Sequence, residues 1–407
     1  MNDKEAQSLL FFMLETNTRN QENQEKFLSK ILQIKNKFNV TRLSFINGFA
    51  ETKLPVAIAY RPNSKVLAQS GGKGISKEQT LISALMESYE CHTAENVSFS
   101  TVDTYQDGEQ TKANPFKIAT TLKDYRSVDP IRWCKAKNIF NDEDVYVPFS
   151  AVSLDFQNMS YIHKREPMML TSNGLASGSS WDDACISAIY EIVERHSITI
   201  NEINKTDKLK LVDRKSIAAE ELLNLIELLE KEKDIEVSLY DNTEWEEFPT
   251  YKSILTNGHM NWAGFGTHSD PVIAATRAIT EANQARMISI SGSREDMNKN
   301  FYLLSAGITR KAKSVGQSSR PCKMRKYELD KKQTKLNKIL DKLKTISKKT
   351  YIYRYKQIDP SIFVVRVISE GLHGYNYPGY SRMTILETAL DRRIDLEEKE
   401  THSPAAG

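Results

Sequence analysis

Apolar residues in the first 36 positions recur at three- and four-residue steps, from Leu9 to Leu32. Side chains at those steps lie on one face of a helix, so the pattern predicts a helical segment over residues 1–36. Two short strand-like runs follow at residues 41–45 and 56–60. Runs of this length, bounded by turn residues such as Arg61-Pro62-Asn63, predict strands.

Three long stretches of helical periodicity each follow a segment rich in glycine or small residues. Residues 70–74 are predicted to form a turn that opens a helix of about twenty residues. Residues 171–180 are predicted to form a loop before a helix over 181–204, and residues 264–271 a loop before a helix over 272–291.

Shorter patterns occupy the rest of the chain. Strands are predicted over residues 145–147, 151–154, 209–212, 235–240 and 362–368, and helices over 217–233, 329–343 and 384–391. The stretch 310–349 is basic, with fifteen Lys and Arg against three Asp and Glu. It is typical of a solvated, partly flexible segment, and the alternative is a docking surface for an anionic partner or for ATP phosphates.

Composition narrows the function. The chain has 407 residues, 40% of them hydrophobic, and a net charge of +3, which does not favour bulk nucleic-acid binding. Only the basic stretch favours a nucleic-acid role, and it lacks interleaved aromatics for base stacking. No signal-peptide pattern or membrane-length apolar run is present. The four scattered cysteines are typical of reduced thiols, so a cytoplasmic protein is predicted.

The three long helices repeat one frame: a polar residue, then Glu four positions later, then Glu or Gln after three more. The frames are Ser83, Glu87 and Glu90; Ser187, Glu191 and Glu194; and Arg277, Glu281 and Gln284. Residues at these steps share a helical face. A single such pair is usually a solvated face, but its recurrence among apolar neighbours indicates carboxylates that need a compensating cation. Because Mg²⁺ prefers oxygen ligands and phosphates, the frames predict a magnesium–nucleotide site.

Several basic residues lie near these frames. Lys73, in Ser70-Gly71-Gly72-Lys73-Gly74, can offer an ammonium to phosphate beside backbone N–H groups. The segment is not a P-loop, because G-x-x-x-x-G-K-[ST] is absent. Arg195, Arg277 and Arg286 lie on the carboxylate helices and either pair with surface Glu residues or neutralise phosphate.

These motifs, with Asn173-Gly174-Leu175-Ala176-Ser177-Gly178 and Gly292-Ser293-Arg294-Glu295-Asp296, resemble the YcaO family over about residues 40–390. The resemblance implies an α+β, YcaO-type fold with several α/β subdomains and three long helices converging on an ATP/Mg²⁺ site. It also implies a catalytic domain over residues 37–400, after the helical segment 1–36 and before a tail, 401–407.

The resemblance assigns roles to individual residues. It implies metal ligation by Glu87, Glu90, Glu191, Glu194 and Glu281, and catalytic roles for Glu191, Glu194 and Arg195. Its implied ATP contacts are Lys73, Ser83, Ser179, Asp183, Arg195, Arg277, Gln284 and Arg286. Departures from the family pattern include Ser179-Ser180 in place of Asn-Thr, Asp183 in place of Glu, and Glu370-Gly371-Leu372-His373 in place of Pro-Gly-Leu-Glu.

The chemistry that the resemblance implies is ATP-dependent O-phosphorylation of a backbone amide in a ribosomally made peptide or protein. External sulfide then gives a thioamide, a substrate Cys, Ser or Thr gives an azoline, and an amine gives an amidine. The segment from Glu87 to Glu95 resembles members that act beside a TfuA-like partner, which favours thioamide formation, and family members commonly dimerise. The alternatives are an azoline-forming cyclodehydratase, a non-catalytic ATP-binding scaffold subunit, and another magnesium enzyme such as a ligase.

Overall fold

The computed structural model describes residues 18–49, 52–118, 130–158, 168, 170–203, 210–292, 320–326 and 336–374. The predictions for residues 1–17, for the helix over 384–391 and for the tail 401–407 lie outside these residues, as do residues 310–319 and 327–335 of the basic stretch. The division into 1–36, 37–400 and 401–407 stays a prediction.

Within this part of the chain the helices are α1 Thr18–Ile34, α2 Lys77–Ala94, α3 Trp181–Ile203, α4 Glu220–Glu230, α5 Pro271–Ser291 and α6 Leu336–Ile346. The three long helices predicted from periodicity are confirmed as α2, α3 and α5. Polar side chains accept backbone N–H groups where these helices begin: Ser76 for α2, Ser180 for α3 and Asp270 for α5. Each of the described helices is too short or too polar to cross a bilayer.

The described strands are β1 Arg42–Phe45, β2 Val56–Tyr60, β3 Gln69–Lys73, β4 Thr101–Asp103, β5 Ile131–Asn138, β6 Asp144–Pro148, β7 Leu175–Gly178, β8 Lys210–Val212, β9 Glu236–Asp241, β10 Thr250–Thr256, β11 Asn261–Thr267, β12 Arg320–Cys322, β13 Thr350–Arg354 and β14 Phe363–Ser369. They form three sheets, ordered β1-β2-β3, β11-β10-β9-β8-β12 and β4-β5-β13-β14-β7, with β6 beside β5. The mixture of helices and mainly antiparallel sheets confirms the α+β prediction.

The glycine-containing segments before the three long helices were predicted to be turns or loops, and that prediction is wrong in one respect. Each contains a strand, β3, β7 or β11, at the edge of its own sheet. Glycine permits this, because a strand without a side chain can lie directly against a helix. A Cβ on Gly72 would lie 2.1 Å from the carbonyl oxygen of Thr80, and one on Gly264 would lie 2.1 Å from the amide nitrogen of Ala282.

Two smaller predictions also need correction. Residues 151–154 do not form a strand, because the N–H groups of Val152 and Ser153 donate to the carbonyl of Phe149, which turns the chain back. The helix predicted over 217–233 is shorter, since α4 covers only Glu220–Glu230. The strands over 56–60 and 362–368 are confirmed by β2 and β14 within one residue.

The three carboxylate helices and the three edge strands form a closed ring. Helix α2 packs on its own strand β3 and also contacts β7, α3 packs on β7 and contacts β11, and α5 packs on β11 and contacts β3. Each helix also lies over the antiparallel neighbour of its own strand, which is β2, β14 or β10. This arrangement, called here the helix–strand ring, places each helix between two sheets.

Candidate active site

The Glu90 side chain connects α2 to β7, the edge strand on which α3 packs. The backbone N–H of Ser177 in β7 donates to Glu90 Oε1 at 2.7 Å, and the Ser177 hydroxyl donates to the same oxygen. Burial raises the pKa of Glu90 to about 8, the bonds from Ser177 act against it, and the charges of Glu191 and Glu87 add to it. The carboxylates of α2 and α3 are therefore near enough to repel each other.

Glu191 and Glu194 are half-buried on one face of α3. Burial raises the pKa of both carboxyls, to about 7 for Glu194, while the guanidinium of Arg195 lowers both and the charge of Glu281 raises both. The Nε of Arg195 lies 3.9 Å from Glu191 Oε1. The carboxylates of α3 thus share one electrostatic environment with a carboxylate of α5.

Glu281 forms an ion pair with Lys73, which closes the ring between α5 and β3. Burial alone would raise the pKa of Glu281, but the charges of Lys73 and Arg195 outweigh it and leave the pKa below its usual value. The side chain of Glu281 is 22% exposed and that of Lys73 is 31% exposed. The site is therefore open enough to admit a ligand from solvent.

Glu90, Glu191, Glu194 and Glu281, from three different helices, are called here the carboxylate cluster. Across the described ranges, no three His, Cys, Asp or Glu side chains already lie close enough together to hold a metal ion. The donor chemistry nevertheless fits Mg²⁺, which binds through one or two carboxylates together with water and substrate phosphates. The raised pKa values of Glu90 and Glu194 indicate negative charge that a divalent cation would neutralise.

Other predicted site residues line the same ring. Ser83 accepts the backbone N–H of Lys73 at 3.3 Å, which ties α2 to the end of β3. Gln284 lies directly against β3, because a Cβ on Gly71 would be 2.6 Å from its Nε2. Glu87 is exposed one turn before Glu90 and acts electrostatically on that carboxyl.

The arginines of α5 behave differently from each other. Arg277 Nη1 donates to the carbonyl of Thr267 at 3.2 Å, and the guanidinium interacts electrostatically with the carboxylate of Glu194. Arg286 lies on another face of the helix, buried, and donates from Nη1 to Glu232 at 2.7 Å. The structure brings Arg277 toward the carboxylate cluster and does not bring Arg286 there.

Ser179 and Asp183 lie at the exposed start of α3. The Ser179 hydroxyl donates to Asp183 Oδ2 at 3.2 Å, and the backbone N–H of Asp183 donates to Ser180 Oγ at 3.1 Å. These bonds shape the beginning of the helix and do not join either residue to the carboxylate cluster, so their nucleotide contacts stay a prediction.

Two residues beside the site were not predicted to belong to it. Ser177 lies inside the Asn173–Gly178 motif but was not assigned a contact, because the partner of its hydroxyl depends on tertiary packing. Arg366 is a lone charge within the apolar strand β14 and is 3% exposed. A charge in an otherwise apolar strand is a signal that sequence analysis can use, since buried charges need a partner or a function.

Comparisons with known proteins identify the family and the fold. Residues 71–373 match the family model described as YcaO cyclodehydratase, ATP- and Mg²⁺-binding. An uncharacterized protein in the tfuA 3′ region of Rhizobium leguminosarum bv. trifolii is 30% identical over 282 residues, covering 65% of this chain and 66% of the relative, just under two thirds.

Two solved structures share the fold. One is YcaO from Methanopyrus kandleri bound with AMPPCP and Mg²⁺, with a TM-score of 0.64, 21% identity, and coverage of 86% of this chain and 91% of that one. The other is a heterocyclase in complex with substrate and cofactor, with a TM-score of 0.67, 17% identity, and coverage of 86% and 52%.

Proposed function

Because the chain belongs to the YcaO cyclodehydratase family, we propose that it uses ATP and Mg²⁺ to activate a backbone amide of a peptide or protein, and that the product is a thioamide. The observation that supports this proposal is the carboxylate cluster, in which acidic side chains from three separate helices meet beside Lys73 and Arg195. The family binds ATP and Mg²⁺, and the cluster supplies oxygen ligands of the kind Mg²⁺ uses.

The roles of the residues follow from their positions. When bound, MgATP supplies a phosphoryl group whose charge is neutralised by the metal. Glu90, Glu191, Glu194 and Glu281 would hold the metal, and the contact from Ser177 orients Glu90 for this role. Lys73 and Arg195 would stabilise negative charge on phosphate oxygens, which is largely an electrostatic and positioning task.

The thioamide product is favoured by the relative in the tfuA 3′ region and by the segment around Glu87 to Glu95. A TfuA-like protein is accordingly the proposed partner for sulfur or substrate delivery, and a homodimer is a further proposal. The second candidate is azoline formation from a substrate Cys, Ser or Thr, which the structural likeness to a heterocyclase favours.

The test measures ADP and phosphate release by the purified full-length protein with Mg²⁺, candidate peptides, sulfide and a TfuA-like partner. A heavy-oxygen label on the peptide amide is expected to appear in the released phosphate. Label in AMP would instead indicate an acyl adenylate ligase, and nucleotide binding without turnover under all conditions would indicate a scaffold subunit.

The same reactions decide between the two products. Replacement of oxygen by sulfur raises the peptide mass and requires added sulfide. Azoline formation lowers the mass by one water and proceeds without sulfide. A mass decrease that does not depend on sulfide would contradict the thioamide proposal while leaving amide activation intact.

A further inference from the structure

A small pocket lies beside the carboxylate cluster, between α3, β14 and the segment before β7. Ile192, which directly follows Glu191, lines one side, and Ile118 and Leu372 line others. The pocket has about 40 Å³ of free volume, and one water molecule takes up roughly 10–15 Å³ of such space. It therefore has room for about three small groups.

Arg366 gives this pocket, whose lining mixes apolar and polar residues, a buried cation. Its Nη2 donates to the carbonyl of Thr171, and the Tyr355 hydroxyl, which donates to the carbonyl of Val152 at 2.5 Å, also interacts with the guanidinium. Among the residues that the structure describes, Nε and Nη1 have no acceptor with good hydrogen-bond geometry and are shielded from solvent. Burying a donor without an acceptor costs free energy. A ligand that supplies an acceptor to these nitrogen atoms would therefore be stabilised.

Asn173 lines the same pocket and supplies the opposite hydrogen-bonding group. Its side-chain Oδ1 is buried and has no donor within the described part of the chain. An unpaired donor and an unpaired acceptor, in a wall that also contains Thr171, Ser369 and His373, complement a neutral group that has one of each. A peptide amide has one carbonyl acceptor and one N–H donor, whereas a carboxylate has acceptors only and would leave the Asn173 oxygen without a donor.

We propose that this pocket binds a backbone amide of the peptide substrate, with Arg366 donating to the carbonyl oxygen and Asn173 Oδ1 accepting the N–H. The inference rests on the proposed function and locates the peptide relative to the carboxylate cluster. The charge of Arg366, which lines the pocket, acts on the carboxyl of Glu191, so a peptide held here lies near the proposed phosphoryl-transfer site. Asn173 and Arg366 are positioning residues in this arrangement.

The test uses the full-length protein with Mg²⁺ and a non-hydrolysable ATP analogue, and ligand-observed NMR titrations with three small probes. N-methylacetamide carries both groups of a peptide amide, methyl acetate replaces the N–H by oxygen, and acetate is the anionic probe. The unsubstituted protein is expected to bind N-methylacetamide about threefold or more tightly than methyl acetate, the effect of one hydrogen bond.

The main variant is Asn173→Leu, which keeps the side-chain size and removes the acceptor. It is expected to abolish the preference for amide over ester, whereas Asn141→Leu, the same change at an exposed turn, is expected to keep it. Arg366→Gln is expected to weaken both neutral probes. If Arg366→Gln does not fold, the comparison between Asn173→Leu and Asn141→Leu still decides the question.

Equal binding of amide and ester by the unsubstituted protein, tighter binding of acetate, or no binding of any probe would overturn the pocket assignment. Nucleotide binding is measured on the same samples. Retained nucleotide binding together with one of those results rejects the pocket alone, whereas loss of nucleotide binding by the unsubstituted protein rejects the proposed function and the pocket with it.

Discussion

At the scale of single residues, a raised carboxyl pKa shows that the folded protein disfavours the charged form that a metal ligand must have. Glu191 and Glu194 are in this position because they are half-buried and near Glu281. Such an arrangement costs stability in the absence of a cation. Selection for folding alone would not keep it, so these carboxylates are expected to matter more for turnover than for the fold.

Glu191→Gln and Glu194→Gln are each expected to lower ATP turnover by about 100-fold or more, because metal or charge stabilisation at the phosphoryl group is lost. Thermal midpoints are expected to stay the same or rise, since a neutral amide replaces a disfavoured charge. Phosphate release and thermal denaturation check both effects. Glu227→Gln, at an exposed position of α4, is the control, and unchanged turnover in either cluster variant would reject the site.

His268 gives a pH prediction. Burial, with the nearby charge of Arg277, lowers its pKa from 6.5 to about 3. The unfolded chain thus binds a proton on this histidine at higher pH than the folded chain does. The free energy of unfolding is therefore expected to be higher above pH 6.5 and to decrease as the pH falls toward 3. His268→Gln is expected to flatten this acid-side decline in thermal midpoint, whereas His259→Gln, at an exposed position, is expected to keep it.

The sequence was sufficient to locate most of the acidic side chains at this scale, because their spacing along a helix determines which face they share. It was not sufficient for contacts that join distant segments. The sequence placed Arg277 and Arg286 on one helix, yet only the tertiary structure shows that Arg286 pairs with Glu232. Similarly, the bond from Ser177 to Glu90 depends on where β7 packs.

At the scale of elements, the glycine segments show how a local pattern can be misinterpreted. Glycine clusters are typical of turns, and strands rich in glycine have weak intrinsic preference for extended structure. Here β3 is nevertheless a strand, because β2 pairs with it along its whole length and α2 requires a bare backbone beside it. Pairing partners far from a segment in sequence are not visible in its own residues.

Gly72→Ala tests this contact between strand and helix. The added methyl group would meet the backbone of α2, which cannot move aside as a flexible side chain could, so the change is expected to lower the free energy of unfolding by roughly 3 kcal/mol. Chemical denaturation measures the effect. Gly48→Ala, where a Cβ meets nothing within 4 Å, is the control, and equal stabilities of the two variants would contradict the packing.

At the scale of the whole molecule, the three described sheets meet around the helix–strand ring. The carboxylate cluster draws on α2, α3 and α5 together, so none of these helices contains all four carboxylates. The sequence indicated three equivalent helices, and the α+β class was implied by the family resemblance. The order of strands within each sheet was not predictable, because β12, β13 and β14 return to earlier strands from the far end of the described chain.

Mg²⁺ with a non-hydrolysable ATP analogue is expected to slow hydrogen exchange in β3, β7 and β11 together, because a ligand held by all three helices stabilises the entire ring. At 100 times the dissociation constant the stabilisation is about 2.7 kcal/mol. Mass spectrometry of exchanged peptides measures it. Glu191→Gln is expected to remove the effect, and protection confined to one of the three strands would contradict the shared site.

The ion pair between Lys73 and Glu281 joins residues 208 positions apart, and this separation has a consequence during synthesis. A nascent chain that has left the ribosome only as far as α3 contains Lys73 and two of the carboxylate helices. Helix α5, which contains Glu281, has not yet been translated. If the proposed function holds, a chain of that length is expected to have no ATP turnover. Incompletely synthesised chains are then expected to hydrolyse no ATP, and turnover is expected only after α5 has been made.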